Sequence, residues 1–187
     1  MMKRLLINTT IALCLCAILA PADVLHAAGA SPAPDETFTY NIEFLFFTKA
    51  AQGELKFRHI EGNRYKAELI AETKGLVGVL MYGRKNHYIS EMVYDPVKRR
   101  FISRLYTKLI HKPDGTERTT AAIDHKSRTV SWKYFWKDKL EGSGVDPMPP
   151  GARVEELLSA FFNFRNGRLG ALTPGKKVTL FTLPDYK

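Results

Sequence analysis

The pattern of apolar and polar positions is dominated by alternation. In "FTYNIEFLF", residues 38–46, Phe38, Tyr40, Ile42, Phe44 and Phe46 fall on one face of an extended chain, and Thr39, Asn41, Glu43 and Leu45 on the other. Nine residues of period two, rich in aromatic side chains, predict a strand. The rhythm returns at Leu55 and Phe57 and again, past a turn at Glu61-Gly62-Asn63, at Tyr65, Ala67, Leu69 and Ala71. That arrangement predicts a hairpin. Further strands are predicted over residues 87–94, 101–110, 116–124 and 129–136, the first closed by Asp95-Pro96. Pro113-Asp114-Gly115 supplies a turn, because Pro presets φ and Gly permits a positive one. In the last of these strands Val130, Trp132, Tyr134 and Trp136 share a face. About seven or eight strands at meander spacing, with no helices alternating between them, predict a mainly β fold: a curved antiparallel sheet or partial barrel packed on one short helix.

Two stretches break the pattern. "GLVGVLMYG", residues 75–83, is continuously apolar and holds three glycines; its period does not separate a buried strand from a short helix or an apolar loop. "GARVEELLSAFFNFRNGRLG", residues 151–170, is helical: Val154, Leu157, Leu158, Phe161 and Phe162 stand at i, i+3, i+4, i+7 and i+8. Pro149-Pro150-Gly151 precedes the apolar stripe and Asn166-Gly167 gives a stop signal. Glu155 and Glu156 lie near the positive end of the helix dipole, Arg165 and Arg168 toward the negative end. The reading is a helix over 154–164 in the concavity of the sheet, filling it or leaving an apolar cleft; the third alternative, insertion into a membrane surface, is given little area by so short a helix. Such a cleft would be lined by Phe44, Phe46, Trp132, Tyr134, Leu158, Phe161 and Phe162, with Lys or Arg at its rim.

The N-terminus changes the compartment. Lys3 and Arg4 precede an apolar run from Leu5 to Ala20, and Ala28-Gly29-Ala30 offers small-residue cleavage. A basic end, a short apolar centre and an A-x-A exit predict a secretory signal over residues 1–30 and a single β-rich domain over 31–187. The run is shorter than a bilayer span requires and no second candidate follows, so the processed chain is expected to have no transmembrane helix. Both cysteines, Cys14 and Cys16, fall within the signal. Each follows a leucine rather than the small residue a lipoprotein signal uses, so a periplasmic protein without acylation, disulfide or thiolate chemistry is expected. The formal charge of +9 would favour anionic partners, which outside the cytoplasm are envelope lipids and polymers rather than nucleic acid.

Candidate chemistry is sparse. His59, His87, His111 and His125 show no zinc spacing, so no metal and no cofactor is expected. Ser143, in "LEGSGVD", is flanked at two residues' distance by Glu141 and Val145 where a nucleophile elbow has glycines, and reads as a loop. Glu155 and Glu156, adjacent on one helix, are not expected to converge on one atom. Asp114, Asp124 and Asp146 read as turn acids. No catalytic residue is assigned, and the protein is expected not to be an enzyme.

"FTYNIEFLFFTKAAQGELKF", "RYKAELIAETKGLVGVL", "YDP", "IDHKSRTVSW", and "LSAFFNFRNG" followed by "LTPGKKVTLFTL" occur in that order over residues 37–183. In this the chain resembles the exported bacterial proteins classed as domain of unknown function 3108. The resemblance implies a cell-envelope location and a mainly antiparallel β fold, and supplies no catalytic residues. The chain departs from that pattern at "VTLFTLPDYK", which reads as a strand and a Pro184-Asp185 turn without a returning strand. The reading is a chain cut short, or a sheet edge covered by a partner. Two functions are therefore expected as alternatives: binding of a lipid or other apolar envelope molecule without catalysis, or envelope assembly through a protein partner.

Overall fold

The computed structural model describes residues 35–44, 47–80, 82–152, 154–169 and 180–186, together with Thr173 and Gly175; the segment read as a signal lies outside them. Eight strands form one antiparallel meander in chain order: β1 (Glu36–Phe44), β2 (Phe47–Glu61), β3 (Arg64–Thr73), β4 (Lys85–Asp95), β5 (Arg100–Lys112), β6 (Gly115–Asp124), β7 (Thr129–Trp136) and β8 (Lys139–Pro147). Among the described residues the sheet does not close into a barrel: β8 pairs only with β7 and β1 only with β2. The apolar glycine-rich stretch forms a short helix, α1 (Gly75–Leu80), and the amphipathic stretch forms α2 (Leu157–Arg165). Between β8 and α2 a two-residue strand, β9 (Val154–Glu155), pairs in parallel with β10 (Phe181–Thr182).

The eighth strand corrects the loop reading of "LEGSGVD". Ser143 sits within β8, opposite Lys133 and exposed. Its neighbours explain the strand. Gly142 and Gly144 pair with Tyr134 and Trp132, and a Cβ at Gly144 would stand 2.9 Å from the Trp132 ring. Glycine is present there so that the indole can lie flat across the last strand.

Register places one continuous row of side chains across the inner face: Leu55, Leu69, Tyr88, Lys108, Thr119 and Tyr134 oppose one another from β2 to β7. Beside it runs a second row, Phe57, Ala67, Ser90, Tyr106, Ala121 and Trp132. A bulge in β5 lets these rows coexist with Phe101 and Ser103 on the same face. Glu91 and Met92 are successive in β4, yet pair with Leu105 and Ser103, so Arg104 is the extra residue and inner positions change from odd to even.

The core has two parts. One holds Leu55, Phe57, Tyr65, Ala67, Met92, Phe101, Leu158 and Phe162 beneath α2; the other gathers Ala121, Ile123, Val130, Met148, Val154 and Tyr186. Phe162 is fully buried with its ring 4.3 Å from that of Phe57. Tyr186 stacks on Trp132 at 5.0 Å. The helix therefore does pack on the sheet as expected, but it begins three residues later than predicted. Val154 belongs to a strand and to the second cluster.

Candidate functional site

The start of α2 is fixed by buried polar groups. Glu156 is its N-cap: the carboxylate accepts from the backbone N–H of Leu158 at 2.7 Å and of Ser159 at 2.6 Å, and from the Ser90 hydroxyl at 2.6 Å. In return the Glu156 N–H donates to the Ser159 hydroxyl, whose own proton points to Glu155 at 2.8 Å. This is a capping box with its residues reversed, Glu at the cap and Ser three positions on. The expectation that Glu155 and Glu156 ride on the helix is corrected: both precede it. They reach different groups of Ser159, Glu155 its hydroxyl and the Glu156 carboxylate its backbone N–H.

One turn further on, Asn163 replaces a missing strand. β6 pairs with β5 only from Leu105 onward, so the backbone of Phe101 lacks a sheet partner on that side. The Asn163 amide accepts from the Phe101 N–H and donates to the Phe101 carbonyl, both at 2.8 Å. A ring N–H of His125 donates to the next inward carbonyl, that of Ser103, at 3.1 Å. Burial holds His125 below the ordinary histidine pKa, which keeps the ring neutral with one nitrogen as donor. Burial also pushes the Glu156 carboxyl above the ordinary range, against the hydrogen bonds that favour its charge.

With its buried face so pinned, α2 turns Leu157 and Phe161 toward an open trough. Leu157 and Phe161 are 52% and 38% exposed, whereas Leu158, Ser159, Phe162 and Asn163 are buried. On one side of Leu157 lies an apolar groove of about 450 Å³, formed with Leu158 and Phe161 above and Tyr40, Leu55, Leu69 and Ala71 below. Gly53 forms part of its floor, where a side chain would occupy the space. On the other side lies a more polar pocket of about 270 Å³, bordered by Tyr106, Lys108, Thr119, Glu156 and the 182–186 segment. Leu157 borders both. The inner row runs from Leu55 and Leu69 in the groove through Tyr88 to Lys108 and Thr119 in the pocket, each step about 4.8 Å. Lys108 forms an ion pair with Asp185, and Tyr106 is held well above the usual phenol pKa by burial and then by the Glu156 charge.

Of the residues predicted to line a cleft, Leu158 and Phe161 do so. Phe162 is core. Tyr134 is on the inner face but five strands from Leu55, and Trp132 is packed under Tyr186, so neither borders the groove. Phe46 lies outside the described residues, as does the side chain of Phe44. The sequence reading missed Tyr40, Leu55, Leu69, Ala71 and Leu157. The first four share the strand alternation already recognised, so the signal was present; which strands meet the helix was not. Among the described residues no group of three or more His, Cys, Asp or Glu side chains is placed to hold a metal ion, and no helix is long and apolar enough to cross a membrane.

No curated protein and no solved structure matches the chain. One family model, described as "Protein of unknown function (DUF3108)", matches residues 39–187. That span takes in the sheet from the fourth residue of β1 onward, α1, α2 and the polar cluster at its cap, and the chain belongs to the DUF3108 family.

Proposed function

We propose that the protein binds an amphipathic lipid of the cell envelope without acting on it chemically, its acyl portion in the groove and its head beside Lys108. The observation that carries this reading is the shared wall at Leu157: an apolar groove and a more polar, lysine-bearing pocket lie on one face of the sheet under one helix end. Binding sites for small molecules combine largely apolar walls with few polar groups in this way. Binding is favoured over catalysis by the state of Glu156. It is 1% exposed with its oxygens already engaged by three donors, so this carboxylate is committed to capping the helix and not presented to a substrate for general acid–base work. A periplasmic location fits the signal read over residues 1–30 and the net charge of +9.

The test is mass spectrometry of organic extracts from protein purified without detergent from the envelope of its own cell. A recurring lipid near one equivalent is expected in the wild type and absent from Ala71→Phe, which fills the groove with a residue that strands accept readily. A lipid retained equally by Ala71→Phe would refute the groove, and a clean extract from folded wild type would refute lipid binding. The mass of the isolated chain tests export, since removal of residues 1–30 is expected. Envelope assembly through an added strand has less support. Lys139, Glu141, Asp146 and Pro147 stud β8, one of the two edge strands, in the manner that discourages pairing at that edge.

A further inference from the structure

We infer that α1 is a docking tip that seats the protein on an anionic phospholipid surface. The helix displays its apolar side chains instead of burying them: Leu76 is 59% exposed, Val79 72%, Leu80 65%, and the following Tyr82 77%. Gly78 is the buried residue of the helix. A Cβ there would stand 3.0 Å from the Thr73 carbonyl oxygen, so a bare glycine lets the turn press against the end of β3 while the larger side chains point away.

This display is held by the backbone. Lys74 N–H donates to the Ala50 carbonyl at 2.9 Å, Gly78 to Lys74 at 2.8 Å, Gly83 to Gly78 at 2.7 Å, and Thr73 to Arg84 at 3.1 Å. A tip so tied presents its apolar area at little entropic cost to whatever receives it.

The base of the tip identifies the receiving surface. Lys74, Arg84 and Lys85 flank it, and Glu72 is the acid beside them, paired with Lys74 at 2.8 Å. Lys85 also helps hold the Glu72 carboxyl below its ordinary pKa. An apolar tip above a net positive collar matches the headgroup boundary of an anionic leaflet, where each basic residue adds attraction and the apolar side chains enter the acyl boundary. With one six-residue helix, attachment is reversible. The tip also stands at one end of the groove. Ala71 in its lining is two residues before Thr73, about 7 Å along β3. Docking nevertheless rests on the tip alone and does not require an occupied groove.

The experiment is flotation with vesicles of phosphatidylcholine carrying about 30 mol % phosphatidylglycerol, comparing wild type with Val79→Ser/Leu80→Ser in identically processed protein. Both positions are exposed, so the variant is expected to keep its urea midpoint. Its vesicle affinity is expected to fall at least about tenfold, and wild-type binding to weaken with salt and on phosphatidylcholine alone. Equal binding by the two proteins would overturn the inference, as would no binding by either. A wild-type dimer lost in the variant without a difference on vesicles would instead assign the tip to a second copy, and overturn it too. Ala71→Phe separates this from the groove: it is expected to bind vesicles like wild type while losing any extracted lipid.

Discussion

Removing the Asn163 amide tests whether α2 serves as a substitute strand for β5. In Asn163→Ala the Phe101 N–H and carbonyl both lose their 2.8 Å partner inside a buried segment, and Glu155 loses a donor at 3.2 Å. An unsatisfied buried backbone group costs about 1–3 kcal/mol, so the two together predict a loss of about 4 kcal/mol. For a domain of this size that corresponds to a fall in Tm of roughly 8–16 °C. Equilibrium urea unfolding gives the first quantity and a thermal melt the second. Asn163→Asp should do no better near neutral pH: it keeps an acceptor for the Phe101 N–H, loses both donors, and sets a carboxylate beside Glu155. Asn166→Ala is the contrast, because that amide makes a half-buried bond to Phe162 within its own helix, worth about 1 kcal/mol. Amide exchange locates the effect. Phe101 should lose protection in Asn163→Ala well before the middle of the β4–β5 ladder. A loss below about 1 kcal/mol with Phe101 exchange unchanged would refute the strand-substitute account.

Phe162→Ala should cost about 3–5 kcal/mol, as expected for a large side chain removed from a packed core, while the adjacent and partly exposed Phe161→Ala costs under about 1 kcal/mol; similar urea midpoints would show that α2 faces the sheet differently. Gly144→Ala would drive a Cβ to 2.9 Å from the Trp132 indole and should cost about 1–3 kcal/mol with a red-shifted tryptophan emission, whereas Gly142→Ala, with 3.4 Å available, is milder. Because the Glu156 pKa is raised on folding, the native state binds its proton more tightly. The stability this gives is complete below the unfolded carboxyl pKa and is lost as pH rises through the folded one. His125, depressed on folding, acts in the opposite sense, with stability lost as pH falls below the ordinary histidine range. Urea unfolding at a series of pH values should therefore show the decline with rising pH flattened in Glu156→Gln and the decline with falling pH flattened in His125→Gln; parallel profiles for all three proteins would contradict both shifts.

Much of the sheet was legible because its signal is local. Alternation at 38–44, 55–58, 65–71 and 130–136 needs no knowledge of partners, and each of those segments is a strand. The β8 strand was hidden because its inward positions are glycines. Their role is to leave room for Trp132, a residue on another strand, and a glycine-serine run carries no alternation of its own. The β5 bulge was equally silent, since an extra residue at Arg104 is defined only against β4.

The site failed to show in the sequence for a related reason, and the failure separates its two halves. Leu157 and Phe161 fit the predicted apolar stripe, yet the side chains that anchor the helix are Glu156, Ser159 and Asn163, polar residues a periodicity argument assigns to solvent. They are buried because β5 outruns β6 beyond the bulge and leaves Phe101 without a sheet partner, and because Ser90 and Ser103 of the inner face supply hydroxyls beneath the cap. Once those polar groups take the inward side, the helix is rotated so that Leu157 and Phe161 are turned out of the core. The groove follows from that rotation. An all-apolar contact at positions 154, 157, 158, 161 and 162 would have filled the concavity as a plug; a helix anchored through Glu156 and Asn163 leaves it partly open.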